Sequence, residues 1–143
     1  MSTAFLDISA ALSLKLSVYA TANNIAVSYE NSQYTPVVGT KYLRETLMPA
    51  DTSQAELGTT GMDHNEGNYQ VDAFTPASSK LGKSEAILLA DGIATQFKRG
   101  AVLTYNGVNV RIKSVSRGTG VIDGAWFMIP VFISFKSYTQ PRV

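Results

Sequence analysis

Residues Trp126 to Ile133 read Trp-Phe-Met-Ile-Pro-Val-Phe-Ile, eight positions without a polar side chain. A strand with one solvated face alternates apolar and polar residues, so a run that is apolar on both faces demands cover on both. It belongs in the middle of a sheet, or beneath a helix layer on one side and another subunit on the other. Plain core accounts for it, and a subunit interface through Trp126 is the alternative. Pro130 has no N–H to give a ladder, so the run is expected to carry a bulge or a locally unpaired edge there.

The rest of the chain divides into elements around this strand. From Thr3 to about Ala22, Phe5, Ile8, Leu12, Leu16 and Tyr19 recur at spacings of three and four, which predicts an amphipathic helix. Asn23-Asn24 is its stop signal. Ile25 to Tyr29 alternates as a short strand, and Asn31 to Gly39 is turn-rich. Thr40 to Met48 reads as a second strand closed by Pro49. Ala50 to Asn68 shows neither period and reads as a long loop between strands, a length that in a compact domain usually has a task. Tyr69 to Phe74 is the next strand.

A second helix starts near Ser79 to Ser84 and runs to Arg99, with Ala86, Leu89, Ala90, Ile93 and Phe97 as its buried stripe. Gly100 stands where a left-handed cap is wanted. Ala101 to Tyr105, then Asn106-Gly107, then Val108 to Val115 is a strong hairpin signal. Gly118 to Gly124 is a turn region before the final strand, Ala125 to Tyr138. Helix, strands, helix, strands predicts an α+β domain: a mostly antiparallel sheet with two helices packed on one face. At 143 residues, length predicts one domain, residues 1–143, that buries roughly 70% of its unfolded surface.

Composition removes several functions. There is no cysteine, hence no disulfide, thiolate nucleophile or thiolate metal site. No unbroken apolar run of about 18 residues predicts a membrane span, and Met1-Ser2-Thr3 lacks the basic start of a secretory signal. A net charge of +1 does not suit a basic nucleic-acid binder. The charge is unevenly placed. Glu45 to Asp72 contains no Lys or Arg and holds Glu45, Asp51, Glu56, Asp63, Glu66 and Asp72, whereas Lys98, Arg99, Arg111, Lys113 and Arg117 come later.

Candidate chemistry is sparse. His64, the single histidine, lies in Asp63-His64-Asn65-Glu66, whose spacing fits neither a zinc site nor a calcium loop, and a solvated loop explains it. Gly82-Lys83-Ser84 echoes the end of a phosphate loop, but Ala77 stands where the first Gly is required. A Ser–His–acid arrangement has only His64 to draw on. No catalytic residue, cofactor or metal is predicted. Arg111, Lys113 and Arg117 make one strand face basic, either as a solvated face or as a dock for the acidic segment of a neighbouring copy. Head-to-tail complementarity of that kind closes rings.

Leu43, Leu47, Pro49, Leu57, Gly58, Gly61, Gly67, Tyr69, Gln70, Val71, Asp72, Phe74 and Pro76 form an ordered block. Ala86, Ala90, Ile93, Phe97, Lys98, Arg99 and Gly100 follow, then Trp126, Pro130, Val131, Ile133 and Phe135. In that order and spacing the chain resembles the tail terminator (tail completion) proteins of long-tailed bacteriophages. The resemblance implies a virion structural protein at the head-proximal end of the tail, assembled in the host cytoplasm. It implies a ring, six-fold in the family, that caps the tail tube, stops its polymerisation and joins the head connector. Partners would be other copies of itself, the major tail tube protein and the head–tail connector, with DNA passing through unread and no membrane involved. Asp51, Glu56, Asp63, His64 and Glu66 are then candidates for the lumen or tube-contact loop. Arg44, Arg111, Lys113 and Trp126 are candidates for the subunit interface. A connector or tube-like component is the alternative, although tube proteins carry a long hairpin that the short Asn106-Gly107 turn does not provide. A small binding or hydrolytic domain is a more distant one.

Overall fold

The apolar run lies in strand β7 (Trp126–Thr139), which pairs antiparallel with β3 (Asp63–Pro76) on one side and β5 (Val108–Arg117) on the other. The computed structural model describes residues 4–30, 32–54, 63–77 and 83–139. The remaining elements are α1 (Ala4–Ala22), β1 (Ala26–Ser28), β2 (Tyr42–Gln54), α2 (Lys83–Gln96), β4 (Val102–Tyr105) and β6 (Val121–Asp123). The strand order is β1-β2-β3-β7-β5-β4, with β6 paired to β7 beyond the end of β5.

The sheet is mixed rather than the mostly antiparallel one expected. Residues 29–41 carry the chain back so that Tyr42 enters beside Ala26, and β1 and β2 run parallel. Ile8, Leu12 and Leu16 of α1, and Ala86, Ala90 and Ile93 of α2, share one buried cluster with Leu43, Tyr69, Val71, Ala73, Ile112, Val131, Ile133 and Phe135. Alternation in the strands sends these odd-numbered residues of β3 and β7 into the core. The expected stripe of α2 is buried throughout, Phe97 included.

The other sheet face is covered only in part. Tyr42 and Phe74 stack with centroids 4.4 Å apart, Trp126 meets Tyr42 edge-on, and Tyr34 leans on Tyr42 from the incoming segment. Trp126 Nε1 donates to the Thr40 carbonyl at 3.1 Å. Phe132, farther along, stays 37% exposed.

Two prolines show how the sheet is built. Pro130 falls between the last β5 partner, Val131, and the first β6 partner, Met128. Its missing N–H therefore faces the break at Gly118–Gly120, and its carbonyl accepts Gly118 N–H at 2.8 Å. This is the locally unpaired edge expected. Pro49 does not close β2. Leu47 N–H is accepted by the Glu30 carboxylate, so Leu47 turns its backbone away from β3, and Pro49, two residues on, does the same. With no donor required there, the strand runs through Pro49 to Gln54, with a bulge between Pro49 and Thr52.

The loop reading of Ala50 to Asn68 is corrected accordingly. Strand β2 continues to Gln54 and β3 begins at Asp63, the two pairing antiparallel over most of the stretch, while residues 55–62 lie outside the described residues. Phe5–Ala22 is long and apolar enough by length and composition to cross a bilayer, but Asp7 and Lys15 interrupt it and its inner side packs into the core just described.

Candidate interaction surfaces

The expected acidic segment and basic strand meet within one chain. Glu66, Lys136 and Arg111 stand in one cross-strand row. Lys113 is the extra residue of a bulge between Ile112 and Ser114, and its Nζ lies 3.1 Å from Glu66 Oε1. Among the described side chains, this row sets three cations against one carboxylate. Asp51 lies in the β2 bulge, and Asp63 and His64 pair with Gln54 and Ser53 at the far end of the hairpin. Glu56 lies outside the described residues, as do Lys80 and Gly82 of the Gly-Lys-Ser stretch. Arg117 pairs with Asp91 of α2 at 3.1 Å.

Arg44 is committed inside the chain. Its Nε and Nη2 donate to Asp72 Oδ2 at 3.0 and 2.8 Å, and Gln70 Nε2 donates to Oδ1 at 2.7 Å. The guanidinium lies over the Phe74 ring, 5.0 Å from its centroid. Asp72 is 1% exposed and Arg44 about half exposed, so the arginine satisfies a buried carboxylate and presents its remaining edge to solvent. Trp126, half-buried, is likewise tied to Thr40 and Tyr42.

A second buried carboxylate escaped the sequence reading. Glu45 faces the core from β2 and accepts from Tyr69 Oη at 2.5 Å and Ser13 Oγ at 2.7 Å. Burial first, and then the Glu45 charge, push the Tyr69 phenol well above its ordinary range. The arrangement ties α1 to β2 and β3. Among the described residues no cluster of three or more His, Asp or Glu side chains is placed to hold a metal ion.

Also unforeseen is the outer side of α1. Leu6, Leu14 and Val18 are 67%, 52% and 61% exposed, and with Ala10 they form an i, i+4 row without a charge. A surface helix ordinarily shows charges there. The signal was legible in the spacing. The Leu6 end adjoins β4 in a groove lined by Leu6, Asp7, Ala10, Tyr105 and Asn106, where Asn106 Nδ2 donates to Asp7 Oδ1 at 3.3 Å.

Comparison with known proteins places this arrangement. No curated protein matches the chain. One solved protein structure, 25% identical over 94% of this chain and 96% of that one, superimposes with a TM-score of 0.75. A chain from the virion of a native gene transfer agent particle shares the fold: it is 18% identical, with a TM-score of 0.57 over 98% of this chain and 99% of that one. The family model described as phage tail terminator protein matches residues 7–135. The chain belongs to the phage tail terminator protein family, and it is a structural protein of the phage tail.

Proposed function

We propose that this chain, acting as one domain over residues 1–143, forms a ring of six copies that caps the tail tube and stops its growth. The ring then presents its other face to the head connector and lets DNA pass without reading it. The family match over residues 7–135 carries this reading. The work is surface complementarity rather than catalysis, and it takes place at the head-proximal end of the tail after assembly in the host cytoplasm. In this reading both helices lie on the core face of the sheet, which leaves the opposite face and the hairpin end for contacts.

In this arrangement the β2–β3 hairpin end, with Asp51, Glu56, Asp63, His64 and Glu66, meets the tube or lines the channel, where negative charge keeps DNA from adhering. Changing Asp51, Glu56, Asp63 and Glu66 to Asn or Gln should slow DNA passage. Normal assembly with normal ejection would count against the channel role.

Electron microscopy of particles from a phage deleted for this gene tests the whole reading. Overlong or variable tails without heads are the expected result. Tails of normal length that fail to join heads would assign a joining role, and normal infectious virions would overturn the proposal. One observation favours a second reading, a tube-like component: strands β2 and β3 form a long hairpin, of 13 and 14 residues, where a short turn was the argument against it. Incorporation along the whole tube, rather than at one end, would select that reading.

A further inference from the structure

The sheet has two ends, and they are not defended alike. Beyond β1, the outer edge of β2 is blunted, because Glu30 holds the Leu47 N–H and Pro49 has none to offer. Such devices keep strands from adding to an edge. The terminal strands β1 and β4 carry neither. Ala26-Val27-Ser28 and Val102-Leu103-Thr104-Tyr105 hold no charge and no proline. Ala101 accepts from Ile112, and Leu103 and Tyr105 face Val110 and Val108, so Val102 and Thr104 turn their backbone groups outward. Among the described residues nothing bonds to them.

The two open edges also match in orientation. Leu103 and Val27 both pack against the core cluster, which sends Val102 and Thr104, like Ala26 and Ser28, to the face away from it. A β4 edge laid beside a β1 edge would thus continue the sheet with helices on the same side. Helix α1 supports that junction at both ends. Its Leu6 end adjoins β4, and its Val18 end leads through Ile25, whose N–H donates to Ala20, into β1.

We propose that the open edge of β4 pairs with the open edge of β1 in a second copy of this chain. The uncharged outer row of α1 (Leu6, Ala10, Leu14, Val18) then forms the side-chain part of the same head-to-tail contact. The inference rests on the ring reading and names the surface that builds it. A heterologous contact between opposite ends of one sheet repeats around an axis, as a closed ring requires, and strand addition supplies main-chain hydrogen bonds without a shaped pocket.

The absence of cysteine permits a direct test. Ala26→Cys or Ser28→Cys is combined with Val102→Cys or Thr104→Cys in the full chain. The four double variants are oxidised, both in solution and in tails assembled with them, and resolved without reductant. Cross-strand disulfides need Cα atoms roughly 4.4–6.8 Å apart, so correct pairing in at least one register gives a ladder that climbs past the dimer, while single variants give none. Dimers from single variants would mean a two-fold contact and overturn the proposal. Oligomers or tails without any ladder would overturn it and leave the ring reading standing, and absence of assembly in both settings would remove both. Thr104→Pro is the second probe. Its N–H points away from β5, so the unfolding midpoint should hold while the oligomer is lost; an unchanged oligomer would also overturn the proposal.

Discussion

Two of the buried carboxylates, Glu45 and Asp72, fix what single substitutions do. Glu45 depends on the Tyr69 and Ser13 hydroxyls, and a buried acceptor that loses a donor costs about 1–3 kcal/mol. Tyr69→Phe should therefore lower stability at pH 7 by that amount in urea titrations. The same phenol sets an alkaline limit. Its folded pKa is raised, mainly by burial, so above roughly pH 10 the unfolded chain releases a proton that the folded chain keeps. The stability is whole below that pH and falls as pH rises beyond it. Tyr69→Phe should show a shallower alkaline decline, with the remainder set by Tyr19 and Tyr42, whose phenols burial also raises. An equally steep decline would disconnect Tyr69 from it.

Asp72 gives the second residue-scale prediction. Arg44→Met leaves a fully buried carboxylate with Gln70 as its side-chain donor. Breaking a wholly buried ion pair costs about 3–5 kcal/mol. Arg44 is half exposed, so a loss of about 1–3 kcal/mol is expected from water-screened donors. The loss should appear in the unfolding of the isolated monomer. A residue serving only a subunit contact would leave that transition unmoved.

At the scale of elements, α1 and α2 cross at Gly92, where an added Cβ would lie 2.2 Å from Tyr19 Oη. In a helix interior Ala ordinarily gains about 1 kcal/mol over Gly. Here Gly92→Ala must displace the Tyr19 ring and should destabilise. In a Tyr19→Leu background the same change should stabilise, and thermal melts of the four variants reveal the reversal of sign. This contact was illegible in the sequence, because periodicity places Tyr19 and Gly92 on faces without saying which faces meet. Patterns within one element were legible: Asn106 and Gly107 both adopt positive φ (50° and 80°) as the hairpin signal requires, and the α2 stripe is buried as read. Pro130 was read correctly and Pro49 was not, for one reason. A proline breaks a strand only if its nitrogen faces a partner, and that depends on sheet order. The candidate site was legible as residue types, with acids before bases along the chain. Their closure onto each other through Glu66 and Lys113 follows from the β3–β7–β5 order, which no local pattern reveals.

For the whole molecule, the row of Glu66, Lys136 and Arg111 separates monomer stability from assembly. Arg111 is exposed, stands opposite Lys136 and takes part in no ion pair among the described residues, while Lys113 already has Glu66. Like charges directly opposite in a sheet disfavour the pair by about 0.2–1 kcal/mol. Within one chain, Arg111→Glu should relieve that repulsion and raise the unfolding midpoint slightly. If Arg111 instead docks on the acidic hairpin of a neighbouring copy, the same change places like charge against like and lowers the yield of the ring. The two effects have opposite signs, so the variant cannot imitate a general folding defect. Light scattering and thermal unfolding on one preparation read both. A stabilised monomer with less oligomer supports ring closure through this row. A stabilised monomer with unchanged oligomer removes Arg111 from the interface and leaves the contact to the strand edges. Adding Lys113→Glu breaks the internal pair and should cancel part of the gain, and Glu66→Lys beside it should restore the pair without restoring assembly.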